Sequence, residues 1–175
     1  MHETNRAAAT GVCTQMRAQK LPRWKELPDL DLYMDQVLAL IARWLGDYPG
    51  FVAKGLTASM VNNYVKQGAM PPPVKKRYGR THLAHLIVIC ILKPVLPIAA
   101  IRTLAAHELG RIHEERTYDR FCELFEQSGA AAADLQESEG SEVAGALHAA
   151  LRAQAEQAMA LRLCALLPVK PPDKK

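Results

Sequence analysis

Three successive prolines, Pro71 to Pro73, restrict the fold of this chain more than any other feature. Proline lacks a backbone donor and clashes with the preceding helical turn, so no helix passes through this stretch. Helical spacing of apolar residues is present on both sides of it. The chain is therefore expected to form helices, then an extended segment at the prolines, then further helices.

Two helices are predicted before the prolines, a long amphipathic one and a shorter one. Asp29 is a candidate N-cap and Gly46 a candidate stop for the first helix. Between them, apolar residues recur at helical spacing: Leu30, Met34, Val37, Leu38, Ile41, Trp44 and Leu45. In the second helix, Thr57 is a candidate cap and Gly68 ends it. Leu21 to Pro28 is read as an extended lead-in that packs through Trp24 and Leu27.

Four more helices are predicted after the prolines, and the fold class is mostly α with a small β wing and a C-terminal helical extension. Aromatic residues make up only 6% of the chain, which favours helix over sheet. The helices run from Thr81 to about Leu92, Pro97 to about Leu109, Ile112 to Gln127, and Glu142 to about Leu167. The expected organisation is a flexible arm (1–20), a helical domain (21–127), a linker (128–141), the C-terminal helix (142–167) and a tail (168–175).

Several classes of protein are excluded by composition. The most apolar run, Leu86 to Leu92, is far shorter than the roughly 20 residues that cross a bilayer. Residues 1–20 lack the apolar segment of a secretory signal. The four cysteines form no C-x-x-C pair and are expected to be reduced and partly buried. The sequence therefore predicts a cytoplasmic protein that is not in a membrane.

Charge is divided unevenly along the chain. Between Tyr48 and His107 there are eight basic residues and no acidic ones. The remainder of the chain has 14 basic and 18 acidic residues. A basic segment of this length favours a polyanion as partner, because contact releases counterions. The alternative is a solvated face whose acidic partners come from elsewhere in the fold.

The second helix separates its residues into an apolar and a polar face. Val61, Tyr64 and Val65 share one side. The other side carries a hydroxyl, two amides and an ammonium, which are groups that hydrogen-bond to base edges in the major groove. These residues are Ser59, Asn62, Asn63 and Lys66. Ordinary solvent exposure of a surface helix explains the same pattern equally well.

A basic cluster follows the prolines and is predicted to be the wing. Its residues, which would contact phosphates beside the groove, are Lys75, Lys76, Arg77 and Arg80. Together with the polar helix face, they form the candidate DNA-binding set. The order of elements is helix, turn, helix, proline-rich strand, basic wing and helix.

This order resembles the winged helix-turn-helix of MerR-type transcription regulators over about residues 50–105. The positions that match its core pattern are Tyr64, Gly68, Met70, Pro71, Pro72, Tyr78, Leu83, Leu86, Ile98 and Ile101. The resemblance implies DNA binding, and dimerisation through a long helix after the winged domain. The chain departs from the pattern at Asn62 and Asn63, where the family has other residues. Cys122 and Cys164 do not reproduce the arrangement of the metal-sensing members, so metal sensing is not implied.

A second resemblance covers more of the chain. Leu21 to Trp24, Leu27 to Gln36 and Leu56 to Leu92 together resemble an uncharacterised bacterial family that is known only as a domain of unknown function. This similarity extends over about residues 20–127 and implies no activity.

The sequence contains no catalytic constellation and no recognisable metal or cofactor motif, so no catalytic residue, metal ligand or cofactor is predicted. His82 and His85 could share a helix face, but no third ligand follows at matching spacing, which favours a capping or packing role.

The function predicted is therefore that of a bacterial transcription regulator that binds double-stranded DNA, and not an enzyme. The alternative is a protein-interaction module on a winged-helix fold that no longer binds DNA. A homodimer is expected through the helix 142–167, whose Leu147, Leu151, Met159, Leu163, Leu166 and Leu167 form an apolar side. The alternative for this helix is that it folds back on its own core.

Overall fold

The computed structural model describes residues 2–46, 48, 55–108, 114–138 and 141–168. Over these residues the chain forms seven α-helices and a short 3-10 turn at Trp24–Glu26. The helices are α1 (His2–Ala18), α2 (Met34–Leu45), α3 (Ala58–Lys66), α4 (Arg80–Leu92), α5 (Ile98–Glu108), α6 (Glu114–Ser138) and α7 (Glu142–Leu166). The mostly α fold class is confirmed.

Two compact units divide the chain. One comprises Met1–Leu21 and Arg120–Ala160, and it is called the arm unit below. The other comprises Pro22–Asp119 and Leu161–Lys175, and it is called the core unit.

The core unit is built around α4. Ten consecutive residues of this helix, 82–91, are buried, so it is covered on every side. A helix that is apolar all round is stable in water only when neighbours cover its whole circumference. The amphipathic helix α2 supplies part of that cover through Val37, Ile41 and Leu45, which are at most 1% exposed.

The beginning of α2 differs from the prediction. Asp29 is not its N-cap, because the helix begins at Met34 and Tyr33 occupies the capping position. Leu32 pairs instead with Tyr78: each backbone N–H donates to the other residue's carbonyl at 2.9 Å. This pairing holds Leu32 in an extended bridge, which a helix that started at Asp29 would have to include, so the helix begins only after it.

The lead-in segment packs as predicted. Leu27 is 1% exposed. The Trp24 ring meets Tyr118 edge to face, with centroids 6.2 Å apart. The Tyr118 hydroxyl donates to the carbonyl of Pro22 at 2.9 Å. These contacts fix the start of the core unit to the first turns of α6.

The expected β wing is not confirmed. None of the described residues lies in a strand, and the segment after the prolines forms only two isolated bridges, Leu32 with Tyr78 and Val74 with Arg77. The prolines explain the lack of a ladder, because they have no N–H groups to donate to a neighbouring strand.

The flexible arm of the prediction is wrong for the described part of residues 1–20. His2–Ala18 is the helix α1, and Cys13 within it is 2% exposed. Arg17 pairs with Asp134 at 2.6 Å and with Glu137 at 2.7 Å. The polar, aperiodic sequence of this segment favours a loose arm, whereas the partners that order it lie more than a hundred residues away.

The predicted linker 128–141 is also largely helical. Helix α6 continues without interruption to Ser138. A side-chain β-carbon at Gly129 would lie 2.9 Å from the carbonyl oxygen of Met16, so the glycine permits close approach of α1 and does not mark a break. The following helix begins at Glu142 as predicted, and α5 begins at Ile98, one residue after the predicted start at Pro97.

Some predicted positions lie outside the described residues. These are the candidate helix ends Leu109 and Ile112, the basic residue Lys54 and the tail beyond residue 168.

Truncation of a side chain within α4 should test its central position. Leu86 is 0% exposed, so Leu86→Ala should lower the free energy of unfolding by about 3 kcal/mol through reduced apolar burial and a residual cavity. Leu30 is 59% exposed, and Leu30→Ala should cost less than about 0.5 kcal/mol. Denaturant unfolding followed by circular dichroism measures both values. Equal effects of the two changes would contradict the central burial of α4.

Candidate nucleic-acid interface

Helix α3 places the predicted polar residues on its exposed side. Its N-cap is Thr57, whose hydroxyl accepts a hydrogen bond from the backbone N–H of Met60 at 3.2 Å. Val61 and Tyr64 anchor the opposite side, with 0% and 4% exposure. The helix ends at Lys66, and Gly68 follows it with a positive φ of 69°. The apolar anchors thus fix which face of α3 is turned to solvent.

All four polar residues predicted on α3 are exposed: Ser59, Asn62, Asn63 and Lys66. Their side chains make no hydrogen bond or ion pair with any described residue. No carboxylate occurs in this helix, so its outer face presents only neutral and positive groups. Such a face can approach a phosphate backbone without charge repulsion.

Lys75 and Lys76 form the tip of a two-residue turn. The N–H of Arg77 donates to Val74 at 2.9 Å, and the N–H of Val74 donates back to Arg77 at 3.1 Å. Both lysines have positive φ, 49° and 64°, and no other described non-glycine residue does. This is the pattern of a type I′ hairpin turn, in which Asn-Gly is the preferred pair. Each lysine therefore carries backbone strain on the order of 1 kcal/mol.

Both lysine side chains are exposed and form no ion pair with any described residue. The turn consequently displays two adjacent positive charges in a fixed backbone conformation.

Arg77 is directed back toward the protein. Its guanidinium lies 3.4 Å from the centre of the Tyr33 ring and also donates to the Tyr33 hydroxyl. Tyr33 precedes α2, and no sequence signal connects it to Arg77, since the two residues are 44 positions apart. This contact attaches the turn to the start of α2.

Arg80 is also engaged within the core unit. Its Nε donates to the carbonyl of Leu27 at 3.1 Å, and its guanidinium lies 3.7 Å from the carboxylate of Asp29. The segment 48–107 contains no acidic residue, but in the folded chain it has Asp29 as an acidic neighbour. Of the predicted basic wing, the structure leaves the two lysines unpaired among the described residues and gives both arginines contacts with the chain.

His82 connects the proline segment to α4. The backbone N–H of Gly79 donates to its Nδ1 at 3.0 Å. Because Nδ1 accepts, the proton is on Nε2, which donates to the carbonyl of Pro72 at 3.1 Å. His82 thus caps α4 and holds the start of the turn segment, in agreement with the capping role favoured from the sequence.

His85 packs within α4. Its Nδ1 lies 2.9 Å from the carbonyl of Thr81 and must donate to it, since a carbonyl only accepts. Burial lowers the pKa of His85, an effect that the Thr81 hydrogen bond and Glu114 oppose and that His82 reinforces. Farther along the helix, burial raises the pKa of Cys90 to about 12, so this thiol is unreactive at neutral pH.

None of the four cysteines forms a disulfide, as predicted: Cys13, Cys90 and Cys122 are buried and Cys164 is half-buried. Among the described residues, no group of three or more His, Cys, Asp or Glu side chains is arranged to hold a metal ion. No helix formed by these residues has both the length and the hydropathy to cross a bilayer.

The lowered pKa of His85 predicts a loss of stability at acidic pH. The unfolded chain binds a proton at an ordinary histidine pKa of about 6.5, whereas the folded protein binds it only at lower pH. Stability attributable to this residue is therefore full above that value and falls as pH decreases through it. His85→Asn retains a donor for Thr81 but does not titrate, so its unfolding free energy should depend less on pH between about 7.5 and 5. Parallel denaturant titrations measure the difference, and identical pH dependence in both proteins would contradict it.

Comparison with known proteins identifies a family but no activity. No curated protein and no solved structure matches the chain. Residues 22–126 match a family described as "Domain of unknown function (DUF1836)". The match begins where the core unit begins and extends into α6. Since it covers more than half of the chain, this protein belongs to the DUF1836 family.

Proposed function

We propose that this protein binds double-stranded DNA as a transcription regulator, through the outer face of α3 and the turn at Lys75 and Lys76. The observation that carries the proposal is the lysine turn. Two adjacent lysines occupy a strained backbone conformation, are exposed and have no acidic partner among the described residues. Asparagine and glycine would fit this turn with less strain, so the lysines cost stability and a function for their charges explains their presence.

The composition of α3 supports the same function. Asn62 and Asn63 lie exposed on a helix whose opposite side is anchored by buried residues. An asparagine amide can pair with both exposed groups of adenine in the major groove, and Lys66 can donate to guanine. In this proposal α3 is the recognition helix of a winged helix-turn-helix like that of MerR-type proteins, α2 precedes it and the turn acts as a minimal wing.

The contacts of the arginines refine which residues would meet DNA. Arg77 stacks on Tyr33 and Arg80 donates to the Leu27 carbonyl, so the main role of both arginines is to position the turn. The phosphate contacts are accordingly assigned to Lys75 and Lys76. Base contacts are assigned to Ser59, Asn62, Asn63 and Lys66.

Replacing Lys75 and Lys76 removes the charge of the turn while keeping its backbone conformation. The double variant Lys75→Asn with Lys76→Gly matches the backbone preference of the turn, so the protein should gain about 1 kcal/mol of stability. Binding to duplex DNA should weaken, and the slope of log K against log salt should decrease by about 0.9 for each phosphate that the variant no longer neutralises. Fluorescence anisotropy with labelled duplex at several salt concentrations measures binding, and thermal unfolding measures stability.

The control for this variant removes the same charge elsewhere. Lys20→Asn with Lys93→Asn takes away two exposed lysines outside the turn and should leave the salt slope nearly unchanged. If the turn variant and the control weaken binding equally, the lysine turn does not contact phosphate. A turn variant that binds as tightly as the native protein would contradict the proposal itself.

Truncation of one amide on α3 tests base recognition. Asn62→Ala should cost roughly 1–3 kcal/mol on the preferred sequence, selected from a random pool, and little on random duplex. Thermal unfolding should be unchanged, because the residue is exposed and its side chain bonds to no described residue. An equal loss on both kinds of DNA would show that this residue positions the protein without reading bases.

A protein-interaction module is the second candidate function, and it is favoured by a separate observation. Helix α7 carries a series of exposed large apolar residues, and Gly145 is the one residue described as buried in it. Exposed apolar surface of this extent is typical of a binding site for another protein.

A further inference from the structure

Helix α5 places one arginine beside the C-terminal end of α3. Ile101 and Ala105 anchor α5 in the core unit, with 0% and 8% exposure. Arg102, which follows Ile101, is exposed, and its Nη1 donates to the carbonyl of Gln67 at 3.5 Å. Gln67 directly follows Lys66, the last residue of α3. Helix α5 therefore brings a positive charge next to the helix that is assigned the base contacts.

The position of the Arg102 side chain depends on Gly68. This glycine follows α3 with a φ of 69°, a conformation that residues with a β-carbon rarely adopt. A β-carbon built on Gly68 would lie 3.7 Å from Cδ of Arg102. The aliphatic part of the arginine thus passes over the glycine, in contact with the chain at the point where α3 ends.

Arg102 differs from the other two arginines of the segment 48–107. Arg77 and Arg80 are half-buried, and they contact an aromatic ring and a carboxylate of the core unit. Arg102 is exposed and forms no ion pair with any described residue. Its hydrogen bond to the Gln67 carbonyl is long. Because a guanidinium carries five N–H donors, most of them remain available to an anion.

The guanidinium lies where the DNA backbone would pass beside a recognition helix. The major groove of B-DNA is about 12 Å wide, so a helix at its centre has phosphates roughly 6 Å to either side. The contact with the Gln67 carbonyl keeps Nη1 of Arg102 within about 10 Å of the Lys66 Cα. A positive charge at this distance from a base-reading residue can reach the phosphates at the edge of the groove.

We propose that Arg102 contacts a DNA phosphate beside the C-terminal end of α3, in addition to the phosphate contacts of Lys75 and Lys76. This inference rests on the proposed function. A guanidinium can donate two parallel hydrogen bonds to two phosphate oxygens, which fixes orientation better than a single ammonium does. Such a contact carries no sequence information, and it holds α3 in register with the bases.

A role confined to the protein is the alternative for Arg102. A positive charge near the C-terminal end of a helix stabilises that helix by interacting with its last carbonyl groups. The two roles predict different effects of removing the charge. Loss of a helix cap lowers thermal stability and leaves the salt dependence of DNA binding unchanged. Loss of a phosphate contact lowers the salt dependence and leaves thermal stability nearly unchanged.

DNA binding by Arg102→Gln at several salt concentrations distinguishes these roles. Glutamine retains N–H donors but carries no charge. Fluorescence anisotropy with labelled duplex should give a slope of log K against log salt that is smaller by about 0.9. The affinity should fall by about 8-fold at 0.1 M salt and hardly at all at 1 M, on preferred and random sequences alike. Arg102→Lys keeps the charge and should restore most of the slope.

The matched control is Arg116→Gln. Arg116 is also an exposed arginine of the core unit with no ion pair to any described residue, but it lies in the first turn of α6. This variant should bind DNA with the native salt slope. Thermal unfolding of both glutamine variants should occur close to the midpoint of the native protein, because both side chains are exposed.

Three outcomes would overturn the proposal. A native salt slope for Arg102→Gln, with the lysine turn still required for binding, would exclude the phosphate contact and leave the proposed function intact. An equal decrease of the slope for Arg116→Gln would show a general effect of net charge. A native protein that binds no duplex DNA at low salt would overturn the proposed function, and the role of Arg102 with it. A lower unfolding midpoint with an unchanged slope would assign Arg102 to capping of α3.

Discussion

The burial of α4 on every side is the constraint on which the rest of the core unit depends. A helix with ten successive buried residues has no polar face, so the unit must supply cover around its whole circumference. The amphipathic helix α2 provides part of that cover. The polar groups at the beginning of α4 then need partners in a dry environment. His82 and His85 hydrogen-bond to backbone groups, and these bonds hold the beginning of α4 in place.

The beginning of α4 connects the core to the exposed turn. His82 holds Pro72, the pairing of Leu32 with Tyr78 holds the far side of the turn, and Arg77 stacks on Tyr33. Strained backbone conformations persist only where the surroundings determine them, and here three separate contacts do so. The outcome is a pair of lysines displayed on a turn that these three contacts attach to the core unit. The proposed DNA contact relies on this preorganisation, since a rigid loop loses less conformational entropy on binding.

Much of the core unit can be predicted from local sequence. The Thr57 cap, the Gly68 stop and the two faces of α3 depend on residues within one or two helical turns of each other, and all three agree with the structure. The arm and the linker differ from the prediction because their structure depends on contacts between residues that are far apart in the chain. Gly129 looks like a helix break in sequence, whereas the structure uses it to admit the backbone of α1. In the candidate site, the exposure of the α3 residues is predictable, but the engagement of Arg77 and Arg80 is not.

Local sequence is sufficient to predict the helical class, the division at the prolines and the apolar and polar sides of α2 and α3. These features follow from periodicity and from the stereochemistry of proline and glycine, which act over a few residues. Tertiary contacts account for three features that local sequence does not predict: which basic side chains stay unpaired among the described residues, the start of α2 at Met34 and the helix at residues 2–18. Each of these depends on contacts between residues far apart in the chain, such as Arg17 with Asp134 or Arg80 with Asp29. Such contacts are set by how the helices pack, because local spacing carries no information about which distant partner will be adjacent.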